Sequence, residues 1–215
     1  VPTDQLKIEA TGAEANSQPF AGPPSRTRIS IRPQDQAPVA SYALKAAGKD
    51  LSWSTKGTIF AATWECAAFS WSADPREDLE KWRHERTLIP QAAITVPAID
   101  FAFGRRGPRN MPEFAEVKAI APGPDKFGMV CVSTFDMPKG VWRFSILSDD
   151  GVRLLVKKVV DKTLQTTTVI ENWTWHAPTQ DFGLFNQDAD GEVTLYLEYF
   201  QLDGHAVLKL DITPE

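Results

Sequence analysis

The sequence predicts an all-β fold, a β-sandwich or barrel, with one short helical insertion. Three observations point to it. Near the C-terminus, Val193, Leu195, Leu197 and Tyr199 share one phase, and Ala206, Leu208, Leu210 and Ile212 share another; strict alternation of this kind marks half-buried strands. From residue 127 onward, strand-like runs recur at short spacing between turn residues, the pattern of a sandwich or barrel. The 215 residues also hold 16 Pro and 7 Trp against only 3 Met, a composition that leans toward strands and loops.

Residues 1–56 are rich in Gly, Pro, Ser, Ala and Gln. Leu6–Glu9 alternates weakly. Arg26–Arg32 alternates cleanly, with Ile29 and Ile31 in one phase, and ends at Pro33 as edge strands do. This part is expected to be an N-terminal extension or linker that lends edge strands to the main body, which runs over 57–215. The apolar run 58–71 is expected to be one strand, with Phe60, Ala62, Trp64 and Cys66 in phase. A helix follows over 75–86, with Asp74 as N-cap, Pro75 in the first turn and Glu77 closing a capping box. Leu79 and Trp82 form its apolar face, and its charges suit a solvated side. Residues 91–126 are Pro- and Gly-rich around the patch Ile99–Gly104. The remaining strands are expected at Phe127–Phe135, Trp142–Leu147, Val152–Val160, Thr166–Ile170, Val193–Phe200 and Ala206–Ile212, the last two joined by a hairpin-type loop at Leu202-Asp203-Gly204-His205.

Charge and length exclude several functions. With 23 basic and 28 acidic residues the net charge is −5, against the basic face that a nucleic-acid binder presents. No apolar run approaches the roughly 20 residues of a membrane-spanning helix. Cys66 and Cys131 are too few for a disulfide scaffold and lack metal-site spacing. They are either two buried thiols or one bridge; a bridge would close a loop of about 65 residues and contribute about 4 kcal/mol. The chain starts at Val1 without Met or a signal-like segment, as expected of a processed form or an excised piece of a larger polypeptide.

Chemistry concentrates at Ser148-Asp149-Asp150-Gly151, between two strands. Adjacent carboxylates repel, and in extended backbone they point to opposite sides. If the chain bends sharply between them, even to a cis peptide, they can share a hard cation. Ca²⁺ suits such a site better than Mg²⁺ because it tolerates irregular oxygen shells. The plainer alternative is an ordinary Asp-Gly β-turn. Acid/base hydrolysis is disfavoured, because glycosidase carboxylates stand about 5–10 Å apart. No nucleotide, serine-hydrolase or zinc-protease motif occurs.

Asn186-x-Asp188-x-Asp190-Gly191 imitates half a calcium loop, but Leu197 holds the twelfth position, so a polar turn is expected. Trp173 is expected in the core. Trp175 is balanced between packing and stacking on a ligand ring. His84 is expected on the solvated helix face, and the sequon Asn172-Trp173-Thr174 lies in a block expected to be packed.

The run Gly140-Val141-Trp142-Arg143-Phe144-Ser145-Ile146-Leu147-Ser148-Asp149-Asp150-Gly151-Val152-Arg153-Leu154 resembles the central motif of the PA14 domain family. Further blocks follow in that family's order: Ile99–Gly104 upstream, then Val169-Ile170-Glu171-Asn172-Trp173 with His176 beyond it, Leu195–Phe200, and Gly204–Leu210. Together they cover about residues 57–213. The resemblance implies a β-sandwich or barrel-like, non-catalytic module of extracellular, secreted or cell-surface proteins. In lectin-like members, two adjacent Asp residues joined by a cis peptide hold Ca²⁺ that contacts sugar hydroxyls; the matching positions are Asp149 and Asp150. Further ligands there come from a loop between the last two strands, including an Asn. The matching loop, Gln201–His205, has no Asn, so Gln201 or Asp203 takes that place, with His205 and Trp175 beside a bound carbohydrate or glycan. Two departures stand out: residues inserted between Val156 and Val169, and the helix. The implied alternatives are a structural or adhesion module with a protein partner, and an accessory domain of a carbohydrate-active enzyme that contacts other domains of its parent protein. As a fragment the chain is expected to be monomeric.

Overall fold

The computed structural model describes residues 7–20, 26–33, 39–48, 51–60 and 62–215. The chain divides into two units, Val1–Ala61 and Ala62–Glu215. The first contains β1 (Lys7–Thr11), β2 (Ala13–Phe20), β3 (Arg26–Pro33), β4 (Val39–Gly48) and β5 (Leu51–Phe60). Strands β1, β4 and β5 form one antiparallel sheet, and β2 pairs with β3. The segment expected to lend edge strands thus builds sheets of its own. Within its Pro-rich stretch, residues 21–25 lie outside the described residues.

The run 58–71, expected as one strand, is two. Phe60 ends β5 opposite Val39, whereas Trp64 opens β6 (Trp64–Ser70) opposite Val96. The two halves of the run therefore belong to different sheets. The second unit continues with α1 (Leu79–Leu88), β7 (Ala92–Val96), β8 (Asp100–Gly104), β9 (Phe127–Met137), β10 (Gly140–Asp149), β11 (Val152–Val160), β12 (Thr163–Asn172), β13 (Thr179–Gln187), β14 (Gly191–Gln201) and β15 (Ala206–Pro214). They form a six-stranded sheet, β12-β11-β14-β9-β6-β7, and a four-stranded sheet, β13-β10-β15-β8, antiparallel throughout.

The inner faces of these sheets meet in an aromatic core. The Phe103 ring of the smaller sheet lies 5.2 Å from Phe127 and 6.3 Å from Tyr199 of the larger one. The alternating residues of β14 and β15 expected to face one way are all buried. Cys66 and Cys131 stand opposite each other on β6 and β9 and form a disulfide.

Helix α1 starts later than expected. The Asp74 carboxylate is taken by Arg76, accepting from its backbone N at 2.9 Å and its Nη2 at 2.5 Å, so it closes a turn before the helix. Asp78 is the N-cap, accepting from Lys81 N at 2.9 Å. Trp82 lies fully buried against the outer face of the larger sheet, 5.1 Å from Phe69 and 5.3 Å from Trp173. A Cβ on Gly128 would stand 2.5 Å from the Trp82 ring, so glycine is what lets the helix sit down. The charged face is not wholly solvated either. Arg83 donates through Nε and Nη2 to both oxygens of the buried Glu198, each at 2.7 Å. His84 is exposed as expected.

The residues inserted between Val156 and Val169 lengthen the β11–β12 hairpin rather than forming a separate element. Its tip, Asp161-Lys162, has φ values of 48° and 64°, the left-handed pair of a tight two-residue turn. The loop 202–205 is not a hairpin: β14 and β15 lie in different sheets, so the loop carries the chain across the sandwich.

Candidate functional site

Three of the connections that cross between the two sheets build the site. The β10–β11 connection is Asp150-Gly151, directly after Asp149 at the end of β10; the β12–β13 connection holds Trp173, Trp175 and His176; the β14–β15 connection is the loop 202–205. They meet at one point, the Asp150 carboxylate. Its Oδ1 accepts from His176 N at 3.1 Å and its Oδ2 from Leu202 N at 2.8 Å. Asp150 is 0% exposed and Asp149 6%. The peptide between them is cis. A Cβ on Gly151 would stand 2.1 Å from the Phe200 ring, so only glycine fits after the pair.

Gln201 and Tyr199 organise the facing loop from below. The Tyr199 hydroxyl contacts the Asp149 carbonyl oxygen and lies 3.0 Å from Gln201 Oε1. Gln201 Nε2 donates to the carbonyl oxygens of Asp203, at 2.5 Å, and His205, at 3.0 Å. Gln201 is fully buried, so its amide holds loop carbonyls in place, whereas the Asp203 side chain is on the exposed loop. His205 Nδ1 stands 3.8 Å from Asp149 Oδ2. Trp175 is 58% exposed, while Trp173 packs 4.8 Å from Phe200 and donates its Nε1 to Pro75 O at 2.8 Å. The structure therefore brings Asp149, Asp150, Gln201 and His205 together, with Trp175 two residues beyond Trp173 on the crossing that also supplies His176.

Burial dominates the electrostatics. It pushes the Asp150 carboxyl up to about 6; the Leu202 and His176 N–H groups act the other way, and the Asp149 charge adds to the rise. Asp149 is raised as well, chiefly by burial, with His205 and His176 opposing. Burial, reinforced by the two Asp charges, holds the Tyr199 hydroxyl well above its ordinary range, so it remains a donor.

The donor set fits a hard cation. Each Asp150 oxygen accepts one N–H and retains a second lone pair, as do the carbonyls of Asp203 and His205. A cation would relieve the desolvation that raises both carboxyls. Among the described residues no three His, Cys, Asp or Glu side chains cluster at metal-binding spacing, so such a shell would combine the Asp pair with backbone oxygens. The Asn186–Gly191 segment is the expected polar turn. Asp190 Oδ1 accepts from Lys139 N at 2.7 Å, and Asp188 accepts from Asn186 Nδ2 at 2.8 Å.

No family model and no curated protein matches the chain. Solved structures do. A PA14 sugar-binding domain from an RTX adhesin superposes with a TM-score of 0.51 at 14% identity, over 73% of this chain and 91% of that one. The epithelial adhesin 9 A domain of Candida glabrata, in complex with Galβ1-3GlcNAc, superposes with a TM-score of 0.51 at 12% identity, over 72% and 82%. This is a PA14-like fold. A subtype-switched variant of that adhesin domain, in complex with β-lactose, gives a TM-score of 0.50 at 12% identity, over 72% and 81%. Asp149 and Asp150 sit at the crossing from β10 to β11, and α1 packs on the outer face of the larger sheet.

What the sequence did not disclose is the role of His176 N and Leu202 N. They act through backbone groups, which leave no mark on residue identity. The Gln201 amide was visible as a polar residue at the site, but not that it would face two carbonyls.

Proposed function

We propose that the chain is a non-catalytic glycan-binding module in which Asp149 and Asp150 hold Ca²⁺ at the meeting of the three crossing loops. One observation carries this reading: two adjacent, buried carboxylates meet the loop 202–205, whose Asp203 and His205 carbonyls Gln201 holds in place. Bound there, Ca²⁺ would supply open coordination positions for the hydroxyls of a sugar. The protein's own part is to fix the rim. Asp150 ties the 172–178 and 202–205 loops to one carboxylate, His205 stands beside Asp149, and the exposed Trp175 indole offers a flat apolar face for a sugar ring. Sugar complexes of adhesin domains with the same fold support the ligand class. The disulfide and the adhesin origin of these domains support an extracellular, secreted or cell-surface setting. Binding to a glycan array in Ca²⁺, its loss in a chelator, and its loss in Asp149→Ala are the expected results. Array binding that persists in chelator would contradict the reading.

A second reading has its own support. Both Asp150 oxygens already accept backbone N–H groups, as a purely structural clasp would require. In that case the module would serve adhesion or join other domains of its parent protein. It would then bind no glycan on the array, with or without Ca²⁺.

A further inference from the structure

The outer face of the larger sheet carries a second polar constellation, away from the Asp pair. Register places Tyr196, Val132, Glu65 and Thr95 in one row across β14, β9, β6 and β7. At the start of this row, Arg86 Nη1 donates to the Tyr196 hydroxyl oxygen at 3.1 Å, which leaves the tyrosine its own proton to donate. Lys157 Nζ lies 3.9 Å from the centre of the Tyr196 ring. Arg86 Nε is buried and has no partner. Among the described residues, no carboxylate pairs with Arg86 or Lys157. The neighbouring Glu198 is already spent on Arg83 and Arg153, at 2.7 and 3.2 Å.

From Arg86 the face opens into a groove of about 800 Å³. Val130, Val132 and Ala67 make its shallow floor; Gln91, Thr95 and Glu65 supply hydrogen-bonding groups. Glu113 and Glu116 stand at its far side. Glu65 is two strands from Tyr196, about 10 Å away at the usual strand spacing. The groove thus offers one cationic donor, Arg86, with Tyr196 and Lys157 adjoining it, and carboxylate acceptors farther along. A polyanion would meet repulsion from the glutamates, and a neutral ligand would leave the cations unused. The combination fits a hydroxyl-rich ligand carrying one or two localised negative groups.

We propose that this groove binds an anionic saccharide, with its sulfate or carboxylate at Arg86, Tyr196 and Lys157 and its hydroxyls toward Gln91, Thr95 and Glu65. The site is separate from the Asp149–Asp150 crossing. The Trp173 indole, on a crossing loop, donates to Pro75 O before helix α1, whereas Arg86 stands in its last turn. Arg86 is the eighth residue of the helix, about 12 Å along it.

The test is a titration of the full chain, in chelator, with a chondroitin 4-sulfate disaccharide, which carries one sulfate and one carboxylate, followed by NMR of backbone amides and arginine Nε–H groups. Chelator separates this site from the calcium-dependent one, so failure of either leaves the other standing. Saturable shifts at Arg86, Val132 and Thr95 are expected. They should weaken about tenfold in Lys157→Gln, the scale of one lost charge-assisted hydrogen bond. Tyr196→Phe should weaken binding as well while leaving remote amides unmoved. Lactose should not bind. The proposal is overturned by absent or non-saturable shifts, by undiminished affinity in Lys157→Gln, or by equal binding of hexaglutamate, which would mark an acidic-peptide site. Equal binding of inorganic sulfate would overturn it too, because the saccharide would then contribute nothing.

Discussion

Leu202 N donates to Asp150 Oδ2 at 2.8 Å, joining two connections that are 52 residues apart in sequence. The same carboxylate takes His176 N from a third connection. A single side chain thus fixes the rim of the candidate site. Asp150→Ala removes an acceptor from two partly buried N–H groups. Leaving such groups unmet costs about 1–3 kcal/mol each, so chemical denaturation should show a clear loss of stability. Hydrogen exchange should accelerate at His176 and Leu202 together.

The Asp150 carboxyl also sets a pH dependence. Its folded-state value of about 6 lies above the ordinary 3.8, so between the two the folded chain binds more protons than the unfolded chain. Stability of the cation-free protein should therefore fall as pH rises from about 4 through about 6. Asp149 is raised in the same direction. Saturating Ca²⁺ should remove or reverse this slope, because the cation selects the deprotonated pair. Thermal melts across this window, with and without Ca²⁺, measure it; a cation-free stability that climbs over the window contradicts it.

Gly151 has no room for a methyl group beneath Phe200. Gly151→Ala should shift the Phe200 ring, which packs on Trp71 and Trp173, at a cost of about 1–3 kcal/mol for overpacking. Near-ultraviolet circular dichroism should report the disturbed aromatic cluster, and denaturation the lost stability.

The Cys66–Cys131 bridge closes a sequence separation of 65 residues. Reduction, or the double change Cys66→Ala and Cys131→Ala, should cost about 4 kcal/mol in the chain-entropy account. Denaturant midpoints of the oxidised and double-variant forms test this, and coincident midpoints would contradict it.

Much of the second unit was legible from side-chain alternation, for a physical reason. Strands β14 and β15 bury one face in the aromatic core, so their apolar residues recur every second position. Strand β13 escaped the same logic. Its Phe182 and Leu184 are 57% and 60% exposed while Gly183 faces inward, so its apolar phase points to solvent. The helix start was misplaced because Arg76 takes the Asp74 carboxylate and Asp78 caps the helix instead, a pairing that residue identity at position 74 does not show. Asp149 and Asp150 stood out because adjacent carboxylates in a turn are electrostatically costly. What they face did not stand out, because the crossing loops meet Asp150 through backbone N–H groups.

The occupancy of the Asp pair is the central claim. Its most direct test is a melt of the full chain in chelator and in Ca²⁺ at about 100 times its dissociation constant. Linkage gives about 2.7 kcal/mol of stabilisation there, or a rise of about 5–10 °C for a unit of this size. The predicted result is that rise in the unaltered chain and none in Asp149→Ala. Identical melting temperatures in chelator and in millimolar Ca²⁺ would contradict the account.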